Sequence, residues 1–285
     1  MRISAFNIFF GLILFVFSLE MNAEIRYYNP ADKEKVISIM KAASNGETIG
    51  ERVMMAAKSM NGIPLGERAD NDSIGTIMVR LDSIDRMAFL DIAIAAAQAS
   101  FLTSPSLNDF ENKLEGVSRR KGKDDGFASQ FYYAADWIVD NIYRGNVKEM
   151  TEYVETGNYK TKTLDFLSHN PKLFPALADS AVLDKIKVME MGFRSHKIPH
   201  LKKQSAGNKI FQELIQNGDI IIMLPPDPDF DIYDLGFVEI REGAPHLIHI
   251  SKLTNEIVVE DVNLQRLFTL EGQHFYGFRW LRPID

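Results

Sequence analysis

Val79-Arg80-Leu81-Asp82-Ser83-Ile84-Asp85-Arg86-Met87-Ala88-Phe89-Leu90-Asp91 leads from an acid-rich turn into the most apolar segment of this chain outside its N-terminus. From Ile84 to Leu102 apolar residues occur on nearly every side, with Phe89, Leu90, Ile92, Ile94 and a run of alanines, which predicts a buried central helix. Asp82 or Ser83 can cap its first turn, and an acid near that end suits the helix dipole. Around it, Asp32 to Ala43, Glu51 to Met60, Phe127 to Ile142, Phe166 to Leu177 and Leu183 to Phe193 also read as helices, the first two by the spacing of their apolar residues.

The pattern changes near Gly218. Ile220 to Met223, Gly236 to Arg241, His246 to Ser251, Glu256 to Glu260 and Tyr276 to Leu281 are short β-rich runs between turn residues. Phe237, Glu239 and Arg241 alternate with Val238 and Ile240 as in a half-buried strand. Glu242-Gly243 and Thr254-Asn255 stand where hairpin turns are needed. The expectation is an α+β fold, with a mainly helical region over 24–208 packed on a small antiparallel sheet or barrel over 209–285, the two forming one unit.

Residues 1–23 read as a secretory signal peptide: Arg2, an apolar run from Ala5 to Phe17, and Ala23 as a small residue at a cleavage point. The remaining chain is expected to be exported, in the periplasm or secreted, with no stable membrane insertion. The net charge of −7 gives no support for nucleic-acid binding. No cysteine is present in the 285 residues, so no disulfide can form. Asp227, Asp229, Asp231 and Asp234 alternate like the ligands of a calcium loop, but the sharp-turn glycine and closing glutamate are missing. With Pro225-Pro226 and Pro228 among them they read as an extended surface loop, and neither a metal nor a cofactor is expected.

Four stretches together carry a resemblance: Glu51-Arg52-Val53 through Gly62-Ile63-Pro64, the Val79–Asp91 segment, Phe127-Ala128-Ser129 through Trp137-Ile138-Val139-Asp140-Asn141, and Gly218-Asp219-Ile220-Ile221 followed by Phe230 to Gly236. The chain resembles the bacterial exported N-acetylmuramoyl-L-alanine-amidase-like family, a relative of the papain-like cell-wall cysteine peptidases and amidases. The resemblance implies a papain-like cysteine-hydrolase fold. It also implies a nucleophilic cysteine at the start of a buried helix, where the helix N-terminus lowers a thiol pKa. A histidine on the sheet would take the proton, and a polar residue on the next strand would orient it.

This sequence departs from that pattern where the chemistry lies. The cysteine position is Arg86, the histidine position is Asp234, and only the orienting position, His249, is kept. Gln130 stands where the family has an arginine. The resemblance therefore implies a degenerate catalytic site at Arg86, Asp234 and His249, with Asp85, Gln130, Trp137 and Asp231 as candidates for a ligand groove. Trp137, Tyr132 and Tyr133 could line a sugar-binding groove, but at helical spacing aromatic residues are more often core. Ser83 and Ser251 read as a cap and a turn rather than substitute nucleophiles. Because an arginine at a helix start is opposed by the helix dipole, an ion pair between Arg86 and Asp234 is expected. The favoured function is a non-catalytic exported protein binding peptidoglycan fragments or regulating a protein partner. The alternatives are an active wall amidase whose catalytic residues lie elsewhere and a purely structural interaction protein.

Overall fold

The computed structural model describes residues 24–67, 76–227 and 229–285; the signal-peptide reading of 1–23 lies outside them. The strands are β1 (Glu24–Tyr27), β2 (Thr76–Val79), β3 (Val147–Glu149), β4 (Tyr159–Lys162), β5 (His196–Pro199), β6 (Leu201–Lys202), β7 (Ile220–Leu224), β8 (Asp234–Arg241), β9 (Ala244–Ile250), β10 (Ile257–Asn263) and β11 (Gly277–Pro283). The helices are α1 (Ala31–Ala43), α2 (Ile49–Ser59), α3 (Arg86–Ala99), α4 (Leu107–Ser118), α5 (Ala134–Tyr143), α6 (Phe166–His169), α7 (Ser180–Met191), α8 (Lys209–Leu214) and α9 (Leu264–Leu270).

The central helix expected from Ile84 to Leu102 is α3, and it begins later because its cap is Asp85. The Asp85 carboxylate accepts from the backbone N–H of Met87 at 2.9 Å and Ala88 at 3.1 Å, so neither Asp82 nor Ser83 caps it. Ala93, Ala95, Ala96, Ala97 and Ala99 are fully buried, and their small side chains let α1, α2 and α4 pack close on it. Phe89 of α3 meets Phe237 of the sheet edge-on, with ring centroids 5.3 Å apart.

The main sheet is antiparallel and open, not a barrel, in the order β10-β9-β8-β7-β11-β3, with β6 also paired to β11. β3 and β6 precede residue 209, so the sheet is larger than the sequence pattern implied and draws on both regions. Both faces are covered. Ile220, Ile222, Leu235, Phe237 and Ile248 face the core shared with α1 to α3. Ile221, Met223, Val238, Leu247, Phe278 and Trp280 pack against Phe211 of α8 and Leu264, Leu267 and Phe268 of α9. The half-buried reading of residues 236–241 is corrected by these two helices: Phe237 and Val238 both lie fully buried. The turns expected at Glu242-Gly243 and Thr254-Asn255 are present, with positive φ at Glu242, Gly243 and Asn255.

Two further expectations change. The helix read over Phe127–Ile142 starts only at Ala134, and 127–133 forms turns from which Phe127, Tyr132 and Tyr133 fill a third cluster with Leu164, Leu167 and Phe193, while Phe131 joins the main core. The helix read over Phe166–Leu177 breaks into α6 and two 3-10 turns, because Pro171 and Pro175 each open a new turn.

Candidate functional site

Arg86 opens α3, while Asp234, His249 and Glu260 stand on three neighbouring strands, β8, β9 and β10. Their side chains form one continuous chain of opposite charges. Arg86 Nε donates to Asp234 Oδ1 at 2.8 Å, the ion pair expected above. Asp234 Oδ2 lies 2.7 Å from His249 Nδ1, and His249 Nε2 lies 2.9 Å from Glu260 Oε1. The backbone N–H of Leu235 also donates to Asp234 Oδ1, at 2.9 Å. Asp234 and His249 are buried, and the Arg86 side chain is 21% exposed.

An imidazole between two carboxylates must present N–H groups to both, so His249 is an imidazolium. Burial alone would push its pKa down, but the hydrogen bonds to Asp234 and Glu260 outweigh it and lift the pKa to about 9. Burial likewise pushes Asp234 up; the hydrogen bond with His249 and the charges of His249 and Arg86 more than reverse this and hold it below the ordinary carboxylate range. The hydrogen bond to His249 also lowers Glu260.

Gly236 makes room for this arrangement. It sits opposite His249 in the β8–β9 ladder, and a Cβ there would lie 2.4 Å from the Ile248 carbonyl oxygen and 2.8 Å from His249 Cβ. Space, not an unusual φ, demands glycine. Gly236→Ala should lower stability by about 1–3 kcal/mol, typical of overpacking. Urea unfolding checks this, and an unchanged midpoint would show that the strands part without strain.

Tyr233 and Lys252 border the chain. The Tyr233 hydroxyl donates to Glu271 at 2.8 Å, and its ring stacks on His274. Lys252 Nζ sits 3.1 Å above that ring.

The four groove candidates separate. Asp85 and Gln130 line the same cavity of about 60 Å3, on the flank of the first turns of α3 beside Ala88, Asp91 and Arg119. Trp137 does not reach it: the ring is 0% exposed and its Nε1 donates to Asp91 Oδ1 at 2.8 Å, within the core. Asp231 is a buried cap, accepting from the backbone N–H of Ala134 at 3.1 Å and Ala135 at 2.5 Å at the start of α5. Burial raises its pKa despite these bonds. Neither residue lines a groove. Ser251 stays in its turn, where its hydroxyl accepts from Leu253 N–H.

The acidic loop holds an ammonium. Lys162 Nζ, at the end of β4, donates to the carbonyl oxygens of Pro225, Asp227 and Phe230 at 3.2, 2.5 and 2.5 Å. Burial lowers the Lys162 pKa, against the charges of Asp231 and Asp227. Among the described residues, no three His, Asp or Glu side chains are gathered so as to hold a metal ion.

Glu260 was missing from the sequence reading. A register set by the Thr254-Asn255 turn places Val258 opposite His249 and Glu260 two residues on, along the same face. That spacing was the available signal.

Helices packed on an open antiparallel sheet, with charged groups gathered where a helix start meets three strands, define an α+β protein. Residues 62–271 match the family described as AmiA-like, N-acetylmuramoyl-L-alanine amidase-like, and the chain belongs to that family. Among solved structures, an N-acetylmuramoyl-L-alanine amidase from Bacteroides uniformis is similar over 83% of this chain and 99% of its own, with TM-score 0.72 and 21% identity. A Legionella pneumophila protein of the DUF1460 family is similar over 90% of this chain and 97% of its own, with TM-score 0.69 and 16% identity. A comparison with curated proteins finds no match.

Proposed function

We propose that this cell-wall amidase-like protein is exported, does not hydrolyse amides, and binds peptidoglycan fragments. The observation that carries the reading is the saturation of the charged chain. A guanidinium stays protonated and cannot attack a carbonyl. Both oxygens of Asp234 are engaged, and both nitrogens of His249 face carboxylates. A general base needs a free lone pair aimed at the proton it removes, and His249 has none to offer. The family supports the wall as the place of action. No helix among the described residues is long and apolar enough to cross a membrane, which accords with export after removal of 1–23.

Purified protein incubated with soluble wall fragments should release no peptide above a protein-free control, while titration calorimetry with the same fragments should register binding. Release that survives extensive purification and disappears in Asp234→Asn would replace this reading with that of a working hydrolase. A flat titration at millimolar fragment would leave a purely structural role.

A further inference from the structure

A cavity of about 870 Å3 opens beside α5 and α7, bounded by side chains of both helices and of the turns over 120–129. None of its lining residues belongs to the charged chain or to the cavity beside Asp85, so this is a second place rather than an extension of the first. Its walls are largely apolar. Ala128 and Phe193 line it as buried residues, while Val139, Val188 and Tyr143 are 46%, 70% and 90% exposed. Single exposed apolar residues are ordinary, but three gathered around one cavity form a patch of the kind that ligands cover.

The carboxylates lining the cavity are already answered. Asp136 pairs with Arg120, Asp140 with Arg144, Asp125 with Lys185 and Asp184 with Lys187. Lys121 also lines the cavity, and its exposed side chain makes no ion pair among the described residues. Its backbone is held in the left-handed region, with φ 59°, which strains a lysine and not a glycine. The Lys121 N–H donates to Asp140 Oδ1 at 3.0 Å, which ties this residue to α5. A positive charge is thus kept at the cavity where the backbone would accept glycine more easily, and strain of this kind gathers at ligand sites.

We infer that this cavity binds a free fatty acid, its chain against Val139, Val188 and Phe193 and its carboxylate at Lys121. The volume is that of a small-molecule site, commonly about 300–1,000 Å3. Three exposed apolar side chains are too few for a protein partner, since stable interfaces engage about 20–30 residues a side. A cationic head group would meet Lys121 with like charge. With four carboxylates around the cavity, a head group of one negative charge is tolerated better than one of two.

Titration calorimetry with decanoate, octanoate and decylammonium, each below its micelle concentration, tests this. Decanoate should bind at least about tenfold more tightly than octanoate, the scale of two buried methylenes, and more tightly than decylammonium. Lys121→Gly should weaken decanoate by about threefold or more, the scale of an exposed ion pair. Its melting temperature should hold or rise, because glycine accepts the positive φ without strain. Val188→Asp changes a side chain 70% exposed and should weaken decanoate by about tenfold or more, since the chain would strip water from a carboxylate. Equal binding of decanoate and decylammonium, or decanoate binding untouched by Lys121→Gly, would overturn the site. Failure of decanoate to bind at millimolar concentration would overturn it outright. Cosedimentation with phosphatidylglycerol vesicles would then give the surface to a membrane, and a dimer that Val188→Asp dissociates would give it to a second copy of the chain.

Discussion

Asp234→Ala should destabilise the protein by about 3–5 kcal/mol, the scale on which a buried ion pair is broken from one side. The carboxylate lies between two cations, Arg86 and His249, and its removal leaves both facing a space that water barely reaches. It also strands the Leu235 N–H. Domains are commonly stable by about 5–15 kcal/mol, so the loss is a large share of the total. Urea unfolding of the variant measures it. In a double-mutant cycle, Arg86→Ala and Asp234→Ala should couple by about 0.5–3 kcal/mol. Additive losses would mean that the two charges stand near each other without supporting the fold.

The second large effect is a fall in stability in alkali. His249 binds its proton more tightly folded than unfolded, its pKa rising from the ordinary 6.5 to about 9. Its contribution is therefore complete below pH 6.5 and is lost as the pH climbs through about 9. At 1.36 kcal/mol per pKa unit the loss is about 3 kcal/mol. His196 and His200, which burial lowers, act below that window, so they do not mask it. On the acid side the sign reverses. Asp234 and Glu260 are held below their ordinary values, and their contributions are lost as the pH falls beneath the usual carboxylate range. Unfolding free energies measured from pH 6 to 10 should decline for the parent and stay nearly level for His249→Gln. Parallel curves would place the alkaline loss elsewhere.

How much of this could be read beforehand depended on length and repetition. The segment that became α3 was legible because fourteen residues of apolar and small side chains have one plausible environment. The strands β7 to β11 showed their runs and turns. β3 and β6 could not be seen, since three and two residues carry no period. α8 and α9 went unread as well, and so the second covered face of β8 did too. The opposed pair Arg86–Asp234 followed from the family resemblance, which places both residues at one site, together with their opposite charges. Glu260 did not, because it needs the register of a hairpin. Trp137 and Asp231 were misplaced for a common reason: a ring at helical spacing and an acid in a proline-rich loop look the same in sequence whether they face solvent or cap and fill the interior. Only the neighbours, Asp91 for one and the start of α5 for the other, decide it.

The clasp of Lys162 on the 225–230 backbone has a consequence for the medium in which the protein works. Loops rich in aspartate often take their shape from a dissolved ion and lose it when that ion is scarce. Here the positive centre is covalently part of the chain, delivered by β4 to three carbonyl oxygens. It cannot be diluted, exchanged or removed by a chelator. The position of Asp231 over the start of α5 is thus tied to a charge that the chain itself carries.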